Sequence, residues 1–171
     1  MNAGAYKDEI SNRFHSALLL DKTGFEKTYN RADINFKYRY SSFPKDEILI
    51  KAIFKYSKGN LNTISKNKKN ASTKRKTTQP LRYRSAGSIF RNPSREYPAG
   101  YLIDQSGLKG LSIGNAQIST KHANFIINKG NASASDVIEL INIIKKKVYT
   151  LFKIKLELEI KLIGIKWKRI K

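Results

Sequence analysis

The chain has no cysteine among its 171 residues. That absence excludes both a disulfide framework and a thiolate zinc site. Histidine is nearly as scarce: His15 and His122 are too few for a histidine cluster, and no bound metal is expected. Acidic residues are few as well, 13 Asp and Glu against 34 Lys and Arg, leaving a formal charge of +21 and a pI near 10.1. No apolar run approaches the roughly 20 residues that span a bilayer, and the N-terminus lacks the basic and apolar regions of a signal peptide. No membrane partner is expected, and the location expected is cytoplasmic.

Apolar residues make up 40% of the chain, enough for one ordinary domain or two small ones to build cores. A field of +21 attracts polyanions, so a basic nucleic-acid-binding module is one alternative. The excess is mostly lysine and accompanies heavy use of Ile and Asn, which reads as a compositional bias rather than a designed patch. The most basic run, "GNLNTISKNKKNASTKRK" from Gly59 to Lys76, has no interleaved aromatic residue for base stacking. It reads as a solvated helix or linker, and specific nucleic-acid binding is not expected.

Along the chain, "MNAGAYKDEI" reads as a turn or buried loop, and "SALLLDKTG" as a strand entering the turn from Asp21 to Gly24. Ile48, Ile50, Ala52 and Phe54 alternate on one face, predicting a strand after a loop. Pro98 suits the first turn of a short helix whose Tyr101 and Leu102 face a core and which Gly107 or Gly110 stops. Two short strands follow in "LSIGNAQIS" and "ANFIIN". Residues 133–152 form the clearest helix: Ser133 and Asp136 make a capping box, apolar residues recur at 137, 140, 141, 144, 148 and 151, and Lys145 to Lys147 complement the C-terminal dipole. In the last segment Ile154, Leu156, Leu158, Ile160 and Leu162 point one way and Lys155, Glu157, Glu159 and Lys161 the other, a strand pattern that breaks at Ile163 and Gly164. Strands, a basic linker, then a helix-containing unit predict a mixed α+β architecture with two domains.

Eight separated segments, "NAGAY", "YRYSSF", "SAGSIFRNP", "AGYLIDQSGLKG", "IGNAQIS", "HANFIIN", "NASASDV" and "LELEIKLIG", together resemble one family, the UDP-N-acetylenolpyruvoylglucosamine reductases (MurB) of peptidoglycan synthesis. The resemblance runs from Asn2 to Gly164 in the family's order. It implies an α+β fold in which residues 1–60 are the end of an FAD-binding domain, 61–76 a basic linker or helix, 77–153 a substrate-binding C-terminal domain, and 154–171 a final strand with a catalytic glutamate and a basic tail. It also implies the reaction, in which NADPH reduces bound FAD and a hydride passes to the enolpyruvyl ether of UDP-N-acetylglucosamine, giving UDP-N-acetylmuramate.

Through the same resemblance, Ser88 is the proton donor to the carbon beside the one that takes the hydride. A serine can do this only against a strongly basic acceptor within hydrogen-bond reach. Gly87 is expected to allow close backbone approach. Glu159 matches a catalytic carboxylic acid, with a cross-strand pair to a lysine as its structural alternative. Arg39 matches an active-site arginine, whose planar fork suits the substrate carboxylate. Tyr38, Lys76, Asn92, Lys109 and His122 stand where family members contact the UDP-sugar, and Asn2, Ala3, Gly4, Ala5 and Tyr6 where they contact the flavin. The short interval from Arg39 to Ser88 resembles the class without an extra tyrosine-bearing loop.

The chain departs from the family pattern in two ways. Lys7 stands where a glycine usually follows "NAGAY", and the glycine-rich stretch that holds the adenine and pyrophosphate of FAD normally precedes this segment. The expectation is a C-terminal portion of a reductase, completed by an N-terminal fragment and inactive or unstable without it. A UDP-sugar-binding remnant without catalysis is the other alternative.

Overall fold

The structure, a computed structural model, describes residues 1–6 and 8–164; Lys7 and the expected basic tail at 165–171 lie outside them. The chain divides into two units, residues 1–71 and 72–171, and the division falls inside the basic segment. No described helix is long and apolar enough to cross a membrane.

The first unit is made of strands β1 (Gly4–Ala5), β2 (Asp8–Glu9), β3 (Phe14–Leu20), β4 (Glu26–Asn30), β5 (Phe36–Lys37), β6 (Tyr40–Ser41) and β7 (Ile48–Phe54). All its pairings are antiparallel: β1 with β2, β5 with β6, and a sheet in the order β4-β3-β7. Phe14, Ala17 and Leu19 of β3 and Ile34 are buried, with Tyr29, Phe36 and Phe43 against them. Phe14 meets Phe43 edge-on, with ring centroids 5.6 Å apart. The turn after β3 forms because the Asp21 carboxylate accepts hydrogen bonds from Thr23 N, Thr23 Oγ1 and Phe25 N while Gly24 takes φ +85°.

The strand expected at 48–54 is present, and neither of its faces is buried. Every residue of β7 is exposed. It is an edge strand, and Leu49 and Ile53 put apolar side chains on the face that alternation assigned to solvent, so the pattern does not select one side. Of the two readings for the opening "MNAGAYKDEI", a turn or a buried loop, the structure has the turn: β1 and β2 form a hairpin, with Asn2 buried and Ala3, Gly4, Ala5 and Tyr6 exposed. Helix α1 (Leu61–Thr78) follows, a helix as expected and two residues longer than the segment 61–76. It buries no residue.

The second unit holds β8 (Arg84–Ser88), α2 (Ala99–Gln105), β9 (Ser112–Ile113), β10 (Ala116–Ile118), β11 (Phe125–Asn128) and α3 (Ala134–Phe152). Its antiparallel sheet runs β8-β11-β10-β9, and α3 packs on β9, β10 and α2. Ile89, Phe90, Leu102, Ile103, Ile118, Leu140, Ile141, Ile144 and Val148 are all but sealed from solvent. Helix, sheet and single core make this unit α+β, as the sequence predicts.

Helix α3 starts as expected: the Ser133 hydroxyl accepts from Asp136 N and the Asp136 carboxylate from Ser133 N. It ends differently. Lys145 to Lys147 lie short of its last turn, which holds no basic residue, and Lys153 closes the helix at φ +58°. Leu151 is exposed, and Phe152 takes the inward place. Pro98 is the N-cap of α2 rather than a first-turn residue. Tyr101 is exposed, because Leu102 and Ile103 fill the core side of this short helix.

The expected final strand is an extended segment with one bridge, Phe90 to Leu158. Its alternation survives, with Leu156 buried, Ile154, Leu158 and Ile160 half-buried, and Lys155, Glu157 and Lys161 exposed. A longer ladder is blocked on both sides of its partner. Pro93 has no N–H to donate, and Gly87 at φ +81° turns the chain out of extended conformation.

Replacing Ser133 with Ala is expected to lower stability by about 1 kcal/mol, read as a shifted urea midpoint. Asp136 adds a pH dependence. The Ser133 N–H, and then its hydroxyl, hold this carboxyl below the usual aspartate range. Its stabilising effect is therefore complete above roughly pH 4 and lost as pH falls through the folded-state value. Stability curves of the wild type and Asp136→Asn should converge at low pH.

Candidate functional site

Ser88 closes β8 one residue after a bulge. Phe125 pairs with Ser88 but Ile127 with Ser85, so β8 carries one residue more than β11 between those pairs. Gly87 supplies the bend at φ +81°. A Cβ there would meet nothing within 4 Å, so the glycine is required for its backbone angle and not for close approach, as the sequence suggested. Half-buried, Ser88 lines a cleft of about 450 Å³ with Arg75, Tyr83, Arg84 and Phe125. No carboxylate lies among the described lining residues.

Asn124 holds the chain just beyond the serine. Its Oδ1 accepts from Phe90 N at 2.9 Å, its Nδ2 donates to Phe90 O at 2.8 Å, and its own carbonyl accepts from Ile89 N at 2.9 Å. On the other side, Arg91 N donates to Glu157 O at 2.9 Å and Glu159 N to Ile89 O at 2.8 Å. The backbone after Ser88 is thus bonded on both edges. The segment with Glu159 is tied to the turn with Ser88. Glu159 Oε2 lies 3.6 Å from Arg91 Nε.

The other residues expected in this unit have structural neighbours of their own. Asn92 Oδ1 accepts from Ala99 N at 3.1 Å and so ties the turn to the start of α2. Lys109 Nζ pairs with Asp104 Oδ2. Lys76 is exposed on α1 and lends its carbonyl to Lys121 Nζ at 2.6 Å; its neighbour Arg75, not Lys76, lines the cleft. His122 packs its ring 4.9 Å from Phe125 and against Gly100, where a Cβ would come within 3.1 Å of its Cε1. Asn124 N donates to His122 Nδ1 at 3.2 Å, leaving Nε2 as the protonated nitrogen. Burial pushes this imidazole below 6.5, and the Lys109 charge adds to the effect.

In the first unit, Tyr38 and Arg39 form the two-residue tip of the β5–β6 hairpin. Arg39 is held at φ +55°, a conformation costing a non-glycine residue about 1–2 kcal/mol, with its guanidinium 4.9 Å from the Tyr38 ring. Ala3, Gly4 and Ala5 line a second cleft of about 440 Å³ with Asp8, Glu9 and Ile10. A Cβ on Gly4 would come 2.9 Å from Asp8 O. Asn2 is buried behind this cleft: its Oδ1 accepts from Ser11 N, and the Ser11 hydroxyl, then the Asn2 amide, hold the Glu9 carboxyl below the usual glutamate range. Tyr6 OH donates to Ala71 O at 2.9 Å. The small side chains of Ala3, Gly4 and Ala5 leave room for a flat ring. They do not fit its phosphates, because Asp8 and Glu9 share the cleft and Arg13 pairs with Asp8 at 3.9 Å.

Sequence reasoning missed Asn124, Arg75, Arg84 and Arg91. Asn124 and Arg91 stood within "HANFIIN" and "SAGSIFRNP", but nothing local distinguishes a clamping asparagine or a carboxylate-facing arginine from a surface residue.

Residues 79–163 match the family described as UDP-N-acetylenolpyruvoylglucosamine reductase, C-terminal domain. Over 165 residues the chain is 46% identical to the UDP-N-acetylenolpyruvoylglucosamine reductase of Clostridium tetani (strain Massachusetts / E88), covering 96% of this chain and 53% of that protein. The reductase of Rickettsia bellii (strain RML369-C) is 42% identical over 164 residues, 96% of this chain and 54% of that one. The crystal structure of UDP-N-acetylenolpyruvylglucosamine reductase (MurB) from Thermus caldophilus superposes with a TM-score of 0.81 at 35% identity, covering 94% of this chain and 57% of that chain. The chain spans about half the length of the curated relatives it matches.

Asn124→Ala should cost the second unit about 2–4 kcal/mol, because it strands a buried N–H and C=O of Phe90; denaturant unfolding measures this. His122 should titrate below 6.5 by NMR with its proton on Nε2 when neutral. Since the folded form disfavours the cation, stability should fall as pH drops below about 6.5.

Proposed function

The chain belongs to the UDP-N-acetylenolpyruvoylglucosamine reductase family, and from that premise we propose that it carries the substrate-side chemistry of such a reductase. The reaction is reduction of UDP-N-acetyl-3-O-(1-carboxyvinyl)glucosamine to UDP-N-acetylmuramate in cytoplasmic peptidoglycan synthesis. The observation that carries this reading is Ser88: a bulge aims it into a cleft walled by arginines, and a double-edged backbone clamp ties it to the segment bearing Glu159.

In this reading the chemistry that bound FAD would supply, with NADPH as reductant, is a hydride for the vinyl methylene. Asn2, Ala3, Gly4, Ala5 and Tyr6 would hold its ring, and polypeptide equivalent to the rest of the relatives' length would hold its phosphates. Ser88 Oγ donates a proton to the carbon beside the carboxylate, and Glu159 serves as the carboxylic acid near that centre. Arg39 offers a planar fork to the substrate carboxylate as negative charge builds there. Tyr38, Lys76, Asn92, Lys109 and His122 contact the UDP-sugar, with His122 neutral at pH 7. Arg75 and Arg84 add positive charge to the cleft beside Ser88, which suits a diphosphate.

The test is a titration with FAD followed by absorbance, then NADPH and the enolpyruvyl UDP-sugar, with UDP binding measured by calorimetry. Expected are saturable flavin binding in the presence of polypeptide equivalent to the rest of the relatives' length, and turnover that Ser88→Ala lowers at least about a hundredfold while UDP still binds. UDP binding with no flavin binding under those conditions would instead support a non-catalytic UDP-sugar-binding remnant. Binding of DNA with a steep salt dependence, and none of UDP, would overturn the reading in favour of a nucleic-acid-binding module.

A further inference from the structure

Arg91 lies in the turn that carries Ser88 and Asn92, and the chemistry above assigns it no task. The bridge between Phe90 and Leu158 sets its neighbours: Arg91 stands directly across from Glu157 and diagonally from Glu159. Its guanidinium reaches both carboxylates. Nη1 is 3.8 Å from Glu157 Oε2 and Nε is 3.6 Å from Glu159 Oε2.

The two contacts differ in kind. The Glu157 side chain is 78% exposed, and a pair so well solvated contributes little. The Glu159 side chain is 17% exposed, and Glu159 Oε2 and Arg91 Nε are both shut off from solvent. A carboxylate oxygen withdrawn from water relies on the charge that faces it.

We propose that Arg91 is a positioning residue that holds the Glu159 carboxylate in register with the Ser88 turn. The proposal rests on the reading that Glu159 and Ser88 serve one reaction. The bonds from Arg91 N to Glu157 O and from Glu159 N to Ile89 O fix the backbones, and the guanidinium fixes the side chain they present. Its rigid fork can span two carboxylates, which a lysine ammonium, a point charge on a flexible stem, does less well.

The test is the carbon-13 NMR signal of the Glu159 carboxyl group at neutral pH in the full chain, assigned by the resonance lost in Glu159→Gln. Arg91→Met should move and broaden that resonance, and Arg91→Lys should restore part of its position. Glu157→Gln should leave it nearly unmoved. A Glu159 resonance unchanged in Arg91→Met overturns the proposal; should that variant not fold, Arg91→Gln carries the same expectation. In turnover with FAD, NADPH, the enolpyruvyl UDP-sugar and polypeptide equivalent to the rest of the relatives' length, Arg91→Met should lower kcat about a hundredfold and leave KM within about twofold. A wild type without turnover defeats the functional reading, while the resonance still decides the part played by Arg91.

Discussion

The second unit depends on the grip of one buried side-chain amide on one stretch of backbone. Asn124 satisfies both polar groups of Phe90 and, through its carbonyl, the N–H of Ile89. Ile89 and Phe90 are almost wholly buried, and unpaired backbone groups there would cost as much as the contacts gain. With that edge satisfied by Asn124, the opposite edge is free to pair with residues 157–159. Ser88, Arg91, Asn92 and Glu159 therefore owe their mutual placement to a residue that does no chemistry.

Charge in this protein divides into two kinds. Helix α1 carries a dense group of lysines and buries none of its residues, so most of its charge is a solvated face. Arg75 at its end differs: its Nε donates to Gln79 Oε1 at 3.1 Å, and the residue lines the Ser88 cleft. One turn of helix separates a bulk electrostatic effect from a local one. His122 shows the converse, a titratable group kept neutral near pH 7 by burial among basic neighbours.

Much of the fold was legible in the sequence. The capping box at Ser133 and the apolar spacing from Leu140 to Val148 identify α3, because caps and helical periodicity are local signals. The turn at Asp21 is local too, made by an aspartate bonding the backbone just beyond it. Less legible were β7, with apolar residues on both faces, and the segment after Ile154, where alternation is real but pairing is confined to one bridge. Periodicity reports which way side chains point; it does not report whether another strand lies alongside. Tyr101 and Leu151 show the same limit on helices, since the width of the buried stripe is set by what packs against it.

The sequence by itself determined the local geometry: the helix starts, the turn at Asp21, and a glycine before Ser88. Each depends on interactions within a few residues, and through the resemblance of its motifs the sequence also pointed to a family and to candidate residues. Tertiary structure decided what those residues touch. Gly87 serves backbone angle, Asn92 anchors α2, Lys109 pairs with Asp104, and Glu159 faces Arg91. Asn124 lies 34 residues from the backbone it holds, and such long-range pairing is set by packing and burial that no short window of sequence contains.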